Sequence, residues 1–133
     1  MIFALDTNTL TYLLKKDPSV IRQATEAING GNTLILPPIV DYEIQRGLLA
    51  KRMETQLLKY LAFRETIPIG VFSEEVWVGA ARIYATLRQQ GELIDEADIL
   101  IASFCLVNDY TLVTNNIRHF ERVDRLSIVN WKD

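Results

Sequence analysis

The chain carries one cysteine and one histidine in 133 residues. A single cysteine, Cys105, excludes an intramolecular disulfide and a thiolate zinc site. A single histidine, His119, excludes a multi-histidine metal centre. Proline and glycine are scarce, at 4 and 6 residues, so neither a low-complexity segment nor an interdomain linker interrupts the chain. No apolar run approaches the length of a membrane span, and Asp6 breaks the first apolar stretch too early for a signal peptide. Basic excess is also missing. The net charge of −3 argues against indiscriminate nucleic-acid binding by the protein as a whole.

What remains is an ordinary globular composition, 49% hydrophobic and 23% charged. The length fits a single domain over residues 1–133, which buries roughly two thirds of its unfolded surface. Together these features predict an intracellular, cytoplasmic protein without membrane association.

Ile2–Leu5 is apolar throughout, and Thr33–Leu36, Thr111–Thr114 and Leu126–Val129 are short runs dominated by Leu, Ile and Val. Continuous rather than alternating hydrophobicity fits strands covered on both faces, as in a parallel sheet. Between them lie helical patterns. A short helix is expected over Leu10–Lys15, with caps offered by Thr7–Asn8–Thr9. A second starts at Asp17–Pro18–Ser19, buries Val20, Ala24, Ala27 and Ile28, and stops at Asn29–Gly30–Gly31. A helical hairpin is expected over about 39–49 and 53–63, packing Val40, Ile44, Gly47 and Leu48 against Leu57, Leu58 and Leu61. Ser73–Gln90 forms a long helix ended by Gly91, and 96–107 a nearly apolar one with Asp95 as its cap. Ile67–Pro68–Ile69 reads as one more short strand. Strands alternating with helices give the class α/β, a three-layer α/β/α sandwich around a mostly parallel sheet.

In such sheets, ligands bind beyond the carboxyl ends of the strands. Asp6 closes the first strand there, and Thr114–Asn115–Asn116 closes the third. Asp95 and Asp98 open the helix leading into that strand, while Asp41 and Glu43 follow the second strand's exit. Carboxylates gathered on one sheet edge repel one another unless a cation lies between them. Hard oxygen donors select Mg²⁺, with Mn²⁺ able to substitute. The expected chemistry is phosphodiester hydrolysis by water that a divalent metal activates. Each acid also has a purely structural explanation: Asp6 as a turn former, Asp95 as a cap, Asp98 as a first-turn acid favoured by the helix dipole.

These residues carry a family resemblance. MIFALDTN at 1–8, Glu43 in VDYEIQRG, Asp98 in DEADILIA and VTNNIRHFERV at 113–123 resemble, in order, the acidic motifs of PIN-domain ribonucleases. LSIVNW at 126–131 resembles the closing strand of the VapC toxins within that family. The resemblance implies a PIN-like fold and an Mg²⁺-dependent endoribonuclease, the toxin of a type II toxin–antitoxin pair held by a VapB-like antitoxin. It further implies Asp6, Glu43 and Asp98 as catalytic metal ligands, with Asp95 and Asn116 contributing through water. Thr114 and Asn115 would support the loop. Asn116 stands where many relatives have Asp, which leaves the site one charge weaker.

Basic residues that could meet RNA phosphates include Arg46, Arg52 and Arg82, with Arg46 one helical turn beyond Glu43. His119 is expected to partner its own loop rather than to act as a general base. Tyr12, Trp77 and Tyr84 exceed what a small core can cover and suggest a homodimer. Two alternatives remain: a Mg²⁺-dependent phosphatase or phosphoacceptor domain, and a catalytically silent binding module. Against the first, no lysine follows the third strand; against the second stands the joint presence of Asp6, Glu43 and Asp98.

Overall fold

A computed structural model describes all residues, 1–133. Four strands, β1 (Ile2–Leu5), β2 (Thr33–Ile35), β3 (Thr111–Val113) and β4 (Ile128–Val129), form one sheet in the order β2-β1-β3-β4. Every pairing is parallel. The seven helices are α1 (Thr7–Leu14), α2 (Pro18–Asn29), α3 (Pro38–Ala50), α4 (Glu54–Arg64), α5 (Glu74–Gln90), α6 (Glu96–Asn108) and α7 (Ile117–Phe120). The α/β class follows as expected.

Within β1, Ala4 and Leu5 are fully buried, as a strand with neighbours on both sides and both faces requires. The core continues through Leu10, Val40, Tyr60, Ile101, Phe104 and Leu112. The carboxyl-terminal tail is pinned rather than loose: Trp131 packs against Phe3 at 5.3 Å, and the Ser19 hydroxyl donates to the Trp131 carbonyl at 2.6 Å. On the nearly apolar α6, Ser103 is accommodated by donating to the Val76 carbonyl of α5 at 2.6 Å.

The strand order decides where the chemistry falls. From β1 the chain crosses first to β2 on one side, and later to β3 on the other, so the switch point lies between β1 and β3. Backbone bonds run just past the strand ends, Asp6 N–H to Val113 O at 3.2 Å and Thr114 N–H to Val129 O at 2.9 Å. Asp6 and Thr114 are thereby fixed side by side at the carboxyl edge. Helices α1, α3 and α6 point their amino ends at that edge, where their dipoles favour negative charge.

Several local expectations need correction. α1 begins at Thr7, three residues earlier than expected, because the Asp6 side chain caps it by accepting from Thr9 N–H at 2.8 Å. Ile67–Pro68–Ile69 is no strand but a single bridge, Leu36 to Ile69. Pro68 lacks an N–H and contributes only its carbonyl, which accepts from Leu36 N–H at 3.0 Å. Leu58 and Ile28 face solvent, and the buried residue of α4 is Tyr60. Gly91 ends α5 in the left-handed conformation at φ 70°, as expected.

Gly70 follows that single bridge and lies against the buried ring of Phe104. A Cβ there would stand 2.3 Å from Phe104 Cζ, and the ring is already packed on Phe72 and Tyr110 at 5.7 and 5.5 Å. Gly70→Ala should therefore destabilise the fold by about 1–3 kcal/mol through overpacking. Urea unfolding measures this; an unchanged midpoint would show that the ring moves freely.

Candidate active site

Asp6 is 5% exposed although it ends a strand beside the cleft. Its burial pushes the carboxyl pKa above the ordinary range. Hydrogen bonds from Thr114 and Thr9 offset part of that shift, and repulsion from Glu43 adds to it. The structural and chemical roles of Asp6 thus coexist: Oδ1 caps α1 while the carboxylate as a whole remains under electrostatic strain.

Asp98 lies half-buried in the first turn of α6. Its pKa is also raised by burial; the His119 side chain offsets this, while Asp95 and Asp6 repel it. Glu43, on the second turn of α3, accepts from the Thr7 hydroxyl at 2.7 Å, a bond that ties α3 to the start of α1. Arg46, one turn on, approaches Glu43 Oε2 at 3.7 Å with its side chain 58% exposed, and its guanidinium lies 5.2 Å from the Tyr42 ring centre.

The third wall is the turn after β3. The Thr114 hydroxyl accepts from Asn116 N–H at 2.9 Å, which fixes the turn beside Asp6. His119 Nδ1 lies 2.9 Å from Asn116 Nδ2 and 3.3 Å from Asp98 Oδ2. One ring nitrogen cannot accept from an amide and donate to a carboxylate at once. The carboxylate is the stronger acceptor, which places the ring proton on Nδ1 and turns the Asn116 amide oxygen toward it. His119 is therefore a partner of this loop, as the sequence suggests, and through it of Asp98.

Other expected residues fall elsewhere. Asp95 occupies the N-cap position of α6, but its side chain makes no capping bond; it stays exposed, and its charge acts on Asp98. Asn115 is exposed and makes no hydrogen bond of its own side chain. Asp41 leaves the acidic group altogether. Two residues along a helix turn about 200°, so Glu43 facing the cleft sends Asp41 to α4, where it meets Tyr60 and Arg64, while Gln45, one turn along α3, also donates to it. Arg52 sits exposed in the hairpin turn at φ 54°, and Arg82 is exposed on α5; neither pairs with the acids. Thr7 and Thr9 are site residues that sequence reading missed. The signal for Thr9 was its position three residues after the strand-ending Asp6, the spacing of a capped amide. Thr7 had none, because its partner lies 36 residues away.

A divalent cation fits the chemistry of this donor set, with limits. No three Asp, Glu, His or Cys side chains stand close enough together to hold an ion by themselves. Asp6, buried, and Asp98, half-buried, are nevertheless carboxylates that repel each other, and hard cations such as Mg²⁺ bind through one or two carboxylates, several waters and a substrate phosphate.

An all-parallel sheet with acids gathered at its switch point defines an α/β protein with an acidic cleft at the carboxyl edge of its strands. The PIN domain family model matches residues 3–126. The chain belongs to the PIN domain family. It is similar to Ribonuclease VapC2 of Rickettsia felis, 34% identical over 132 residues that cover 98% of both chains. Among solved structures, it resembles VapBC2 from Rickettsia felis bound to a DNA fragment from their promoter, with TM-score 0.90, 33% identity, and coverage of 99% of this chain and 100% of that one. It also resembles VapBC-1 from nontypeable Haemophilus influenzae, with TM-score 0.88, 26% identity and 98% coverage of both chains.

Proposed function

We propose that this chain is a metal-dependent endoribonuclease, the toxin of a VapBC-type pair, acting in the cytoplasm. The observation that carries the reading is the buried Asp6 at the sheet's switch point, with Asp98 and Glu43 near enough to perturb it. Full-length similarity to Ribonuclease VapC2 supports the same activity, and similarity to VapBC complexes supports an antitoxin partner.

Asp6 and Asp98 would hold the cation, with Glu43 completing the acidic set and Asp95 and Asn116 reaching it through water. Mg²⁺ is the favoured ion and Mn²⁺ its substitute. When bound, the cation supplies Lewis-acid activation of water and neutralises charge at the phosphate. The chain's own groups do the rest. Thr9 and Thr114 hold Asp6 in place, Thr7 orients Glu43, and His119 with Asn116 orients Asp98. Glu43 would orient the attacking water and take its proton; the water's oxygen bonds to phosphorus while the bond to the ester oxygen breaks, and that oxygen leaves with a proton from solvent. Arg46, exposed at the margin beside Glu43, would meet a non-bridging phosphate oxygen.

The antitoxin would inhibit by directing a basic side chain, best an arginine, to Asp6 or Asp98 in place of the cation's charge. Excess Mg²⁺ should then weaken the complex. No helix is long and apolar enough to cross a membrane, and the lone Cys105 is buried with its thiol pushed up to about 12, which leaves it protonated and unreactive.

Assembly as a homodimer is supported by α5, where Trp77 is 53% and Tyr84 38% exposed beside a depression floored by Ala80 and Ile99. Tyr12 is not part of that face; it is half-buried with Lys132 Nζ 5.4 Å from its ring centre. Sedimentation at micromolar concentration should give twice the chain mass, and a monomer alone would exclude the dimer.

The functional test is purified protein with total RNA, followed by mapping of new ends. Discrete ends should form with Mg²⁺ and none in EDTA. Cleavage that ignores EDTA, or no new ends with either Mg²⁺ or Mn²⁺, would overturn the reading.

A further inference from the structure

A groove of about 390 Å³ runs between α1 and the α3–α4 hairpin, and Thr7 and Glu43 line it at the active site. Lys15 from the end of α1, Lys51 from the end of α3 and Lys59 from α4 stand along it. All three are exposed, and none makes an ion pair; the chain's one lysine ion pair joins Lys132 to Asp17. In a chain of net charge −3 they set three cations against a single groove carboxylate, Glu43.

The floor adds a second, independent observation. Ile44, Leu48 and the buried Tyr60 supply apolar surface there, and on α3 Gly47 lies one turn beyond Glu43 and one turn before Lys51. Gly47 is in the middle of α3, not at positive φ, and a Cβ there would meet nothing within 4 Å. Neither backbone geometry nor packing calls for glycine, which costs a helix interior about 1 kcal/mol relative to alanine. Glycine at this position leaves the backbone of α3 open to close approach from the groove.

We propose that this groove is a subsite for single-stranded RNA next to the scissile bond. Lys15, Lys51 and Lys59 hold flanking phosphates, and an unstacked base lies on the apolar floor over Gly47. The proposal rests on the ribonuclease reading and adds the path of the strand. Charge complementarity selects the occupant: unpaired lysines at intervals along an apolar slot match a phosphodiester backbone with its base turned inward. The groove is continuous with Glu43, so a strand bound at the acids enters it directly.

The test measures equilibrium binding of a fluorescent single-stranded RNA 12-mer in Mg²⁺, using Asp98→Asn throughout to prevent cleavage. Each of Lys15→Gln, Lys51→Gln and Lys59→Gln should weaken binding about fivefold at low salt. Each should also make the slope of log affinity against log salt shallower by about 0.7. Gly47→Leu should raise the melting temperature by improving helix propensity yet weaken binding tenfold or more, a split that a folding defect cannot produce. Unchanged affinities and salt slopes would overturn the subsite while leaving total-RNA cleavage by the wild type, and hence the ribonuclease reading, untouched. The proposal also fails if the variants bind RNA normally but escape neutralisation by the antitoxin, since the groove would then be a peptide site.

Discussion

Asp6→Asn is expected to lower RNA cleavage by a factor on the order of a thousand or more, and to make the metal-free protein more stable. The first effect follows from losing several kcal/mol of charge stabilisation at the phosphate. The second follows from the carboxyl's surroundings. Asparagine keeps the cap on α1, because its Oδ1 can still accept from Thr9 N–H. It removes a buried charge that Glu43 and Asp98 oppose. In EDTA the melting temperature should rise on the order of a few degrees.

The pH dependence has a definite sign. Asp6 has its folded pKa raised above the unfolded value, so the native state binds more protons than the unfolded chain between the two values. Metal-free stability then falls as pH rises from the unfolded pKa, about 3.9, through the raised one. The advantage of Asp6→Asn should vanish in acid and grow to a plateau above the folded pKa. Melting curves at several pH values in EDTA measure it. A variant that is less stable at every pH would show that Asp6 serves the fold alone.

Asp41→Ala should produce the largest loss of stability among the polar positions, roughly 2–3 kcal/mol. Asp41 Oδ1 accepts from the Tyr60 hydroxyl at 2.6 Å and from Arg64 Nε at 2.9 Å, and Gln45 Nε2 donates to both carboxylate oxygens at 3.1 and 3.2 Å. Burial pushes the Asp41 pKa up, but these bonds together outweigh it and hold the carboxyl below its usual range. Removing the acceptor strands the hydroxyl of Tyr60, a residue only 1% exposed, in the core. Arg64 keeps access to water, so its lost ion pair counts for little. Urea denaturation reads the effect, and a loss under 0.5 kcal/mol would show that water replaces the carboxylate. Asp6 and Asp41 thus have opposite signs. One carboxylate is strained at the active edge, and the other clamps α3 to α4 behind it.

That contrast also marks where sequence reading stops. β1, α2, α5 and α6 were legible because buried strands and amphipathic helices carry their periodicity locally, as do stops such as Gly91. Asp6 and Asp98 could be nominated because strand ends and first turns share the carboxyl edge in any parallel sheet, whereas Glu43, on the second turn of α3, was singled out by the family resemblance. Assigning Asp41 and Glu43 to different faces required the orientation of α3, which follows from its packing. The bond from Thr7 to Glu43 and the contact of His119 with Asp98 span 36 and 21 residues, and no local pattern encodes them. Ile67–Pro68–Ile69 misled because its two isoleucines mimic a strand, while the proline between them allows only one bridge.

Calorimetric titration of Mn²⁺ into the wild type, Asp6→Asn and Asp98→Asn tests the metal site directly. The account predicts measurable binding by the wild type, and affinity at least about tenfold weaker in each variant, since a buried ligand charge is worth a kcal/mol or more. Equal heats and affinities in all three proteins would contradict it, leaving Asp6 and Asp98 as helix-end acids with no cation to hold.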